Sequence, residues 1–138
     1  PTFGVERSLL VALIEAYHEE SAPTADGESD TRIVLKFPKW LAPIKVAVLP
    51  LSKKEPISAK AEEIYKDLLT EFSCEYDETQ SIGKRYRRQD EIGTPLVVTV
   101  DFESLKDKKV TLRDRDTMKQ ERIKITDVAK EISQRIHV

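Results

Sequence analysis

The sequence predicts an α/β fold in which a five-stranded mixed sheet is covered by three helices and preceded by one further helix. Residues 44–49 and 96–100 are short, β-branched apolar runs, which is the composition of strands buried on both faces. Helical patterns separate these runs, and the alternation of strand and helix favours a parallel sheet. Residues 109–113 instead alternate apolar and polar side chains, which indicates an antiparallel partner strand.

The first helix is predicted over residues 5–18. Its apolar side chains recur at the spacing of one helical face and are Leu9, Leu10, Leu13, Ile14 and Tyr17. Residues 19–31 contain Ser, Pro, Thr, Asp and Gly without periodicity, so they are expected to form a solvated linker. Residues 33–37 are mostly apolar β-formers and predict a brief strand.

The strand at residues 44–49 ends at Pro50, and a helix is expected to follow it. One face of that helix is apolar and consists of Ile57, Ala61, Ile64, Leu68 and Phe72. A short strand is predicted near residues 73–76. Ser81 is a suitable N-cap for the next helix, which we expect to run to about residue 91 and to be closed by Gly93.

The last part of the chain predicts a hairpin and a helix. Residues 109–113 are expected to turn around residues 114–117 and to pair with residues 119–125. Thr126 is the predicted cap of the final helix. That helix should pack through Val128, Ile132 and Ile136.

The chain has 138 residues, which suits one domain with a short appendage, and we place the boundary between residues 1–37 and 38–138. The longest apolar run, residues 9–14, is too short to cross a bilayer. Cys74 is the single cysteine, so an internal disulfide is excluded, and the two histidines stand far apart in the sequence. We therefore expect no metal site, and a cytoplasmic setting fits best.

The formal net charge is −2, but the charges are unevenly distributed. Residues 15–30 contain six acids and no Lys or Arg, whereas residues 84–124 contain 12 bases and eight acids. A chain that is acidic overall can still present a basic face to phosphate groups. Ordinary solvated surface charges would explain the same counts, so charge alone leaves both interpretations open.

A cluster of cations occupies the start of the helix that follows Ser81. Its members are Lys84, Arg85, Arg87 and Arg88. The helix dipole disfavours cations at this end, so helix stability does not explain them. A bound anion would offset the cost, and surface ion pairs worth about 0.5 kcal/mol each are an equally good explanation.

Two further patterns contain arginines that can bind phosphate or bases. Arg113 and Arg115 fall on the same side of an alternating segment, and the planar guanidinium suits base edges and phosphates. An ion-paired turn with the neighbouring aspartates is the alternative. Arg7 follows Gly4 in the first helical turn, where a guanidinium can lie beside a phosphate, although early arginines are common in helices. No Ser/His/Asp set, nucleophile elbow or phosphate-binding glycine loop is present.

Three longer segments are more specific than any of these patterns. They read LAPIKVAVLPLSKK, SIGKRYRRQDEIGTPLVVTVDFES and VTLRDRDTMKQERI. In this order and at this spacing they resemble the class II glycyl-tRNA synthetases of the dimeric, eukaryotic–archaeal-like type. Each segment alone is shared loosely with threonyl, prolyl and histidyl relatives, whereas TLRDRD followed by MKQ is typical of the glycyl enzymes.

The resemblance implies that residues 38–138 form an anticodon-binding domain and that residues 1–37 are the end of the catalytic domain with a linker. PTFGVER looks like the end of class II motif 3, which implies that Arg7 contacts the ATP phosphates of the parent enzyme. Thr2 stands where the family usually has Ser beside the glycine pocket, so a hydroxyl is retained.

The same resemblance implies roles in tRNA recognition. By analogy with the threonyl relatives, Arg113 and Glu103 are the expected base-reading residues, and Arg115 is expected to contact either a base or the backbone. The expected contacts to backbone phosphate are Lys84, Arg85 and Arg88.

The resemblance implies that the parent enzyme is a homodimer that joins glycine to its tRNA with ATP and Mg²⁺. The chain itself should hold no cofactor, catalyse nothing, and bind the anticodon stem-loop of the glycine tRNA. Three alternatives stay open: the anticodon domain of a threonyl- or prolyl-type synthetase, a non-catalytic paralogue used for protein or RNA contacts, and a small-ligand α/β domain that uses its strand ends.

Overall fold

The computed structural model describes residues 2–24 and 26–137. Helix α1 (Val5–Ala16) comes first and leads into an antiparallel hairpin of β1 (Tyr17–Pro23) and β2 (Ser29–Leu35). The strands of the second sheet are β3 (Val46–Pro50), β4 (Cys74–Tyr76), β5 (Leu96–Val100), β6 (Lys109–Asp114) and β7 (Gln120–Lys124). The remaining helices are α2 (Ile57–Leu69), α3 (Ile82–Ile92), α4 (Ser104–Asp107) and α5 (Val128–Ile136).

The second sheet has five strands in the order β4-β3-β5-β6-β7. β3 pairs in parallel with β4 and β5, whereas β6 pairs antiparallel with both β5 and β7. Every residue of β3 and β5 is buried, which explains why both runs are almost entirely apolar. The predicted mixed sheet is confirmed, and its parallel strands β4, β3 and β5 all end at the same edge, which we call the carboxyl end.

Three helices cover this sheet, as predicted, and the structure divides them between its two faces. One core cluster joins the strands to α2 and α5, and its helical members are Ile57, Ala61, Ile64, Leu68, Val128, Ile132 and Ile136. On the other face, Ala47, Leu49 and Val97 pack against Ile82 and Tyr86 of α3. Cys74 packs at the margin of the first cluster, and burial raises the pKa of its thiol to about 11.

Helix α3 begins and ends where its sequence predicts. The hydroxyl of Ser81 accepts a hydrogen bond from the backbone N–H of Lys84, and Gly93 closes the helix in the left-handed conformation with φ 82°. Gly93 also lies so close to the chain that an added Cβ would be 2.6 Å from Cδ2 of Phe37. Glycine is therefore required here for its backbone conformation and for its small size.

The prediction of a solvated linker at residues 19–31 is wrong. These residues belong to the β1–β2 hairpin, in which Tyr17 pairs with Leu35 and Pro23 with Ser29. The hairpin has few apolar residues because most of its positions are exposed, and its cross-strand hydrogen bonds do not depend on side-chain polarity. The brief strand expected at residues 33–37 is the end of β2.

Three smaller differences concern helix limits. The first helix ends at Ala16, two residues early, because the chain turns into β1. Thr126 does not cap the last helix; it lies in a short 3-10 turn, and α5 begins at Val128. The single-turn helix α4 was not predicted, since four residues are too few to show a periodic pattern.

Helix α1 is confirmed as a helix, but its apolar residues are not part of a core. Ala16 is its buried residue, and Ala16 packs with Phe37 and Ala42. The exposed apolar side chains of α1 include Val5, Leu9, Leu10, Val11 and Ile14. Because Ala16 and Phe37 pack against Ala42, the two sides of the predicted boundary after residue 37 touch, and the boundary itself stays a prediction.

Candidate nucleic-acid interface

Asp90 on α3 is completely buried and binds arginines from two other parts of the chain. Arg113 of β6 donates two hydrogen bonds to it, with Nη1–Oδ1 and Nη2–Oδ2 distances of 2.9 and 3.2 Å. Nη1 of Arg32 on β2 lies 3.2 Å from Oδ2 of Asp90 and donates to the carbonyl of Arg115. The Arg113 guanidinium also lies 4.9 Å from the centre of the Tyr86 ring. These groups satisfy one another inside the protein.

Arg115 lies in the β6–β7 connection and is enclosed in the same way. Its side chain is 2% exposed. It donates to the carbonyl of Gly93 at 2.9 Å, to the carbonyl of Phe37 at 2.6 Å and to Oδ1 of Asp116 at 2.9 Å. Arg115 therefore holds together the end of α3, the segment after β2 and the β6–β7 connection.

Arg85 lies in the first turn of α3 and is also buried. Its Nη1 donates to the carbonyls of Pro50 and Asp77, which end β3 and follow β4. Burial lowers the pKa of the Arg85 guanidinium, and the carboxylate of Asp77 opposes that effect. The contact fixes the start of α3 to the carboxyl end of the sheet.

Arg85, Arg113 and Arg115, from which contacts to tRNA are expected, therefore do not lie on an open surface. Each of these guanidinium groups is at most 4% exposed and donates to carbonyl or carboxylate oxygens of the domain itself. A buried charge keeps its place only when it is paired and hydrogen-bonded. The alternative of an ion-paired turn holds for Arg115, which pairs with Asp116, whereas Arg113 pairs with Asp90 of α3. The structure offers no support for RNA contacts by these three arginines.

The other three residues expected to contact tRNA are accessible. Lys84 and Glu103 are exposed, and the side chain of Arg88 is 40% exposed. Arg88 donates to the carbonyl of Thr79 at 2.9 Å and lies 2.7 Å from Oδ2 of Asp77. Burial of Asp77 would raise its pKa, but hydrogen bonds from Thr79 and the charge of Arg88 outweigh it and lower the pKa. Arg88 is thus partly occupied, whereas Lys84 projects into solvent.

Lys84 belongs to a larger basic surface at the carboxyl end of the sheet. We define the carboxyl-end surface as residues 51–54, which follow β3, residue 84 in the first turn of α3, and residues 102–109, which follow β5. Its exposed cations are Lys53, Lys54, Lys84, Lys106, Lys108 and Lys109. Within the part of the chain that the structure describes, none of these six lysines forms an ion pair.

The acids near this surface are mostly occupied. Arg122 of β7 binds both Asp101 and Asp107, each through an N–O distance of 2.7 Å. The guanidinium of Arg122 holds the pKa of Asp107 below its ordinary value. Of the acids left near the surface, Glu55 and Glu103 are exposed. The carboxyl-end surface therefore has an excess of free positive charge.

Thr2 and Arg7 lie at the amino-terminal end of the described chain, and both are exposed. Arg7 is in the first turn of α1, with its side chain about 3.8 Å from where a Cβ on Gly4 would lie. Their predicted contacts to glycine and ATP stay predictions. Across residues 2–24 and 26–137, no group of three or more His, Cys, Asp or Glu side chains is arranged to hold a metal ion.

Several residues of this region were missed by sequence reasoning. Arg32 fell between the expected linker at residues 19–31 and the expected strand at residues 33–37, and nothing marked it as buried. Asp90 stood in a run of charges that looked like a solvated surface. Phe102 had a visible signal: it is a single aromatic residue among acids, directly after a buried strand.

No helix in the described ranges is both long and apolar enough to cross a membrane.

A known protein family matches most of this chain. The family described as anticodon binding domain matches residues 45–135 of the chain. The chain therefore belongs to the anticodon-binding domain family. The matched residues include all five strands of the mixed sheet.

The relatives of this chain show which kind of anticodon-binding domain it resembles. A glycine–tRNA ligase of Ruminiclostridium cellulolyticum is 57% identical over 129 residues, which are 94% of this chain and 27% of that protein. A glycine–tRNA ligase of Corynebacterium efficiens is 49% identical over 136 residues, 99% of this chain and 30% of that protein. The chain thus spans somewhat more than a quarter of the length of these relatives, and its residues 45–135 correspond to the anticodon-binding domain of glycine–tRNA ligases.

A solved structure shows the same fold at lower identity. The RNA binding domain of threonyl-tRNA synthetase from Cryptosporidium parvum Iowa II superimposes with a TM-score of 0.65 and 28% identity, covering 72% of this chain and 25% of that one. The identity to the glycine–tRNA ligases is about twice as high, so the threonyl-type alternative fits only weakly.

Proposed function

We propose that this chain binds the anticodon stem-loop of the glycine tRNA and serves as the recognition module of a glycine–tRNA ligase. The observation that carries the proposal is the carboxyl-end surface of a domain of the anticodon-binding family. Its six exposed lysines form no ion pair with the residues that the structure describes. Free lysines at one edge attract a phosphate backbone and release its counterions on binding.

Within this proposal, Lys84 and Arg88 are backbone contacts and Glu103 is a base contact. Phosphate contacts set the register of the RNA, while base contacts distinguish sequences. A carboxylate such as that of Glu103 accepts hydrogen bonds from base amino groups. Unpaired loop bases suit this mode because they can be displaced from the stack and reached along their edges.

The experiment is a titration of the 138-residue chain with an isolated anticodon stem-loop at about 50 and about 200 mM salt. Stem-loops with the glycine and the threonine anticodon are compared, and a fully paired hairpin of the same charge is the control. We expect preference for the glycine stem-loop and a steep loss of affinity with salt. Equal binding of all three hairpins would leave non-specific attraction only and would refute the proposal.

A threonyl-type domain would prefer the threonine stem-loop, and a prolyl-type domain would prefer neither stem-loop, so the same titration distinguishes both alternatives from the proposal. A non-catalytic paralogue would bind RNA equally well, and only the activity of the longer protein separates it. Small-molecule binding without any RNA binding would favour the ligand-binding alternative.

The whole protein, in our proposal, is a cytoplasmic homodimer that attaches glycine to its tRNA with ATP and Mg²⁺. Thr2 and Arg7 are the residues of this chain that would lie beside glycine and ATP. Aminoacylation by the longer protein with Arg7→Ala tests this part separately from RNA binding, because we expect the stem-loop affinity of that variant to be unchanged.

A further inference from the structure

Phe102 is an exposed aromatic residue on the carboxyl-end surface. It follows β5 directly, and 61% of its surface is exposed. Phe102 is absent from the residues that pack against the core clusters of the described chain. Leaving a phenyl ring in water forgoes about 2 kcal/mol of burial free energy, so a core function does not explain the residue.

Hydrogen bonds between Asp101 and Ser104 hold the turn that carries Phe102. Oδ1 of Asp101 accepts hydrogen bonds from both the backbone N–H and the hydroxyl of Ser104, each at 2.9 Å. The Ser104 hydroxyl in turn accepts from the backbone N–H of Asp101 at 3.1 Å. Oδ2 of Asp101 is bound by Arg122 at 2.7 Å. The ring of Phe102 is therefore presented from a fixed backbone, and a ligand that uses it need not order the turn.

The charges around Phe102 favour RNA over a protein partner. Exposed lysines follow the turn in the sequence at residues 106, 108 and 109. Two more, Lys53 and Lys54, follow β3, whose last residue pairs with Val100. Cores of protein interfaces are depleted in lysine. A stacking aromatic residue surrounded by cations is instead the arrangement that binds unpaired nucleotides, because bases stack on the ring while the cations follow the backbone.

We propose that Phe102 is the stacking platform for one unpaired base of the anticodon loop. The inference rests on the proposed function and adds the contact that holds a base beside Glu103. Stacking of a base on an aromatic side chain tolerates any base, so Phe102 supplies affinity for unpaired RNA, and Glu103 supplies discrimination.

The test compares Phe102→Leu with Trp40→Leu, both in the 138-residue chain. Trp40 is a matched control because it is 63% exposed but lies at the opposite end of the sheet, where its carbonyl accepts from Lys45 just before β3. We expect Phe102→Leu to weaken binding of the glycine stem-loop about 5- to 150-fold, the range for loss of one stacked base. Trp40→Leu should bind like the wild type, and Phe102→Trp should bind at least as tightly.

A second measurement observes the base itself. Stem-loops with 2-aminopurine at one anticodon-loop position at a time report stacking by loss of fluorescence. We expect one position to be quenched by the wild-type chain and not by Phe102→Leu. Thermal unfolding of the variants serves as a folding control, and an exposed position should leave it unchanged.

The outcomes separate the inference from the proposed function. If the wild-type chain shows no preference for the stem-loop over the paired hairpin, the proposed function fails and the inference fails with it. If the wild type shows that preference and Phe102→Leu binds equally well, the inference alone is overturned. An equal loss on the stem-loop and on the paired hairpin also overturns it, because a paired hairpin offers no free base to stack.

Discussion

Arg32 of β2 and Asp90 of α3 form an ion pair in which neither side chain is exposed, with an Nη1–Oδ2 distance of 3.2 Å. Glu20 of β1 binds the other side of Arg32 at 2.7 Å. The ammonium of Lys36, and then the guanidinium of Arg32, lower the pKa of Glu20. Because separating such a pair would leave buried charge without a partner, the hairpin and the five-stranded domain should unfold together.

Replacing Asp90 by Asn should lower the free energy of unfolding by about 3–5 kcal/mol, because the change leaves buried arginines without their counter-charge. Urea denaturation measures this change in the free energy of unfolding. The control is Glu91→Gln, which removes an exposed acid one residue further along the same helix and should change stability by less than about 0.5 kcal/mol. Equal stability of the two variants would contradict the structural importance of Asp90.

Replacing Gly93 by Ala should destabilise the chain by about 2–5 kcal/mol. An Ala there adds the strain of φ 82° to a contact of 2.6 Å with Phe37. Gly27→Ala is the matched control, since Gly27 has φ 79° and would meet nothing within 4 Å. We expect that variant to lose about 1–2 kcal/mol. If denaturation shows the same loss for both, the contact with Phe37 is relaxed and only the backbone conformation matters.

Lys84 and Arg85 are neighbours in sequence but should respond differently to mutation. Lys84→Ala should weaken all RNA hairpins alike and reduce the slope of log affinity against log salt by about 1, because an exposed phosphate contact is lost. Arg85→Met should leave that slope unchanged and reduce stability, because Arg85 is 3% exposed and bound to the ends of the strands. A reduced slope for Arg85→Met would place Arg85 in the RNA interface after all.

Arg113→Lys should lower the stability of the domain and leave its anticodon preference intact. A lysine cannot reproduce the two parallel hydrogen bonds to Asp90, which justifies an expected loss of about 1–3 kcal/mol. The ratio of affinities for glycine and threonine stem-loops is measured below the unfolding transition. A tenfold fall in that ratio at unchanged stability would show that Arg113 leaves its buried site to read a base.

The free energy of unfolding of the chain should fall at acidic pH, partly because Asp114 becomes protonated. Its burial would raise the carboxyl pKa, but Lys39 at 2.6 Å and backbone N–H groups outweigh this and hold the pKa below its ordinary value. A group with a lowered folded pKa adds stability above its unfolded pKa and loses it as pH falls through the folded value. Lys39→Met should therefore be less stable than wild type near neutral pH, with the difference shrinking as the pH falls through the folded pKa of Asp114. A pH-independent difference in urea denaturation would exclude this linkage.

The second sheet was predictable because its elements have strong local patterns. The runs that became β3 and β5 are apolar throughout, and α3 has both a Ser81 cap and a Gly93 stop. The β1–β2 hairpin was not predictable by the same reasoning. Its polar strands face solvent, so neither alternation nor apolar content distinguishes them from a linker.

The accessibility of the candidate site was predicted less well than the fold. Sequence places arginines on a strand or helix, but it does not show which of them find a buried carboxylate such as Asp90. Lys84 and Arg85 are identical in pattern, and only the packing of α3 against the end of β3 makes one exposed and the other buried. Burial of long cationic side chains depends on tertiary partners, which a single sequence does not reveal.

The strand order of the five-stranded sheet also bears on how the protein behaves at high concentration. Its two outer strands are β4, which has three residues, and β7, whose side chains are mostly charged. Short or charged border strands are poor templates for a strand from another molecule. The sheet should therefore resist growth by strand addition and the amyloid-like association that such growth begins.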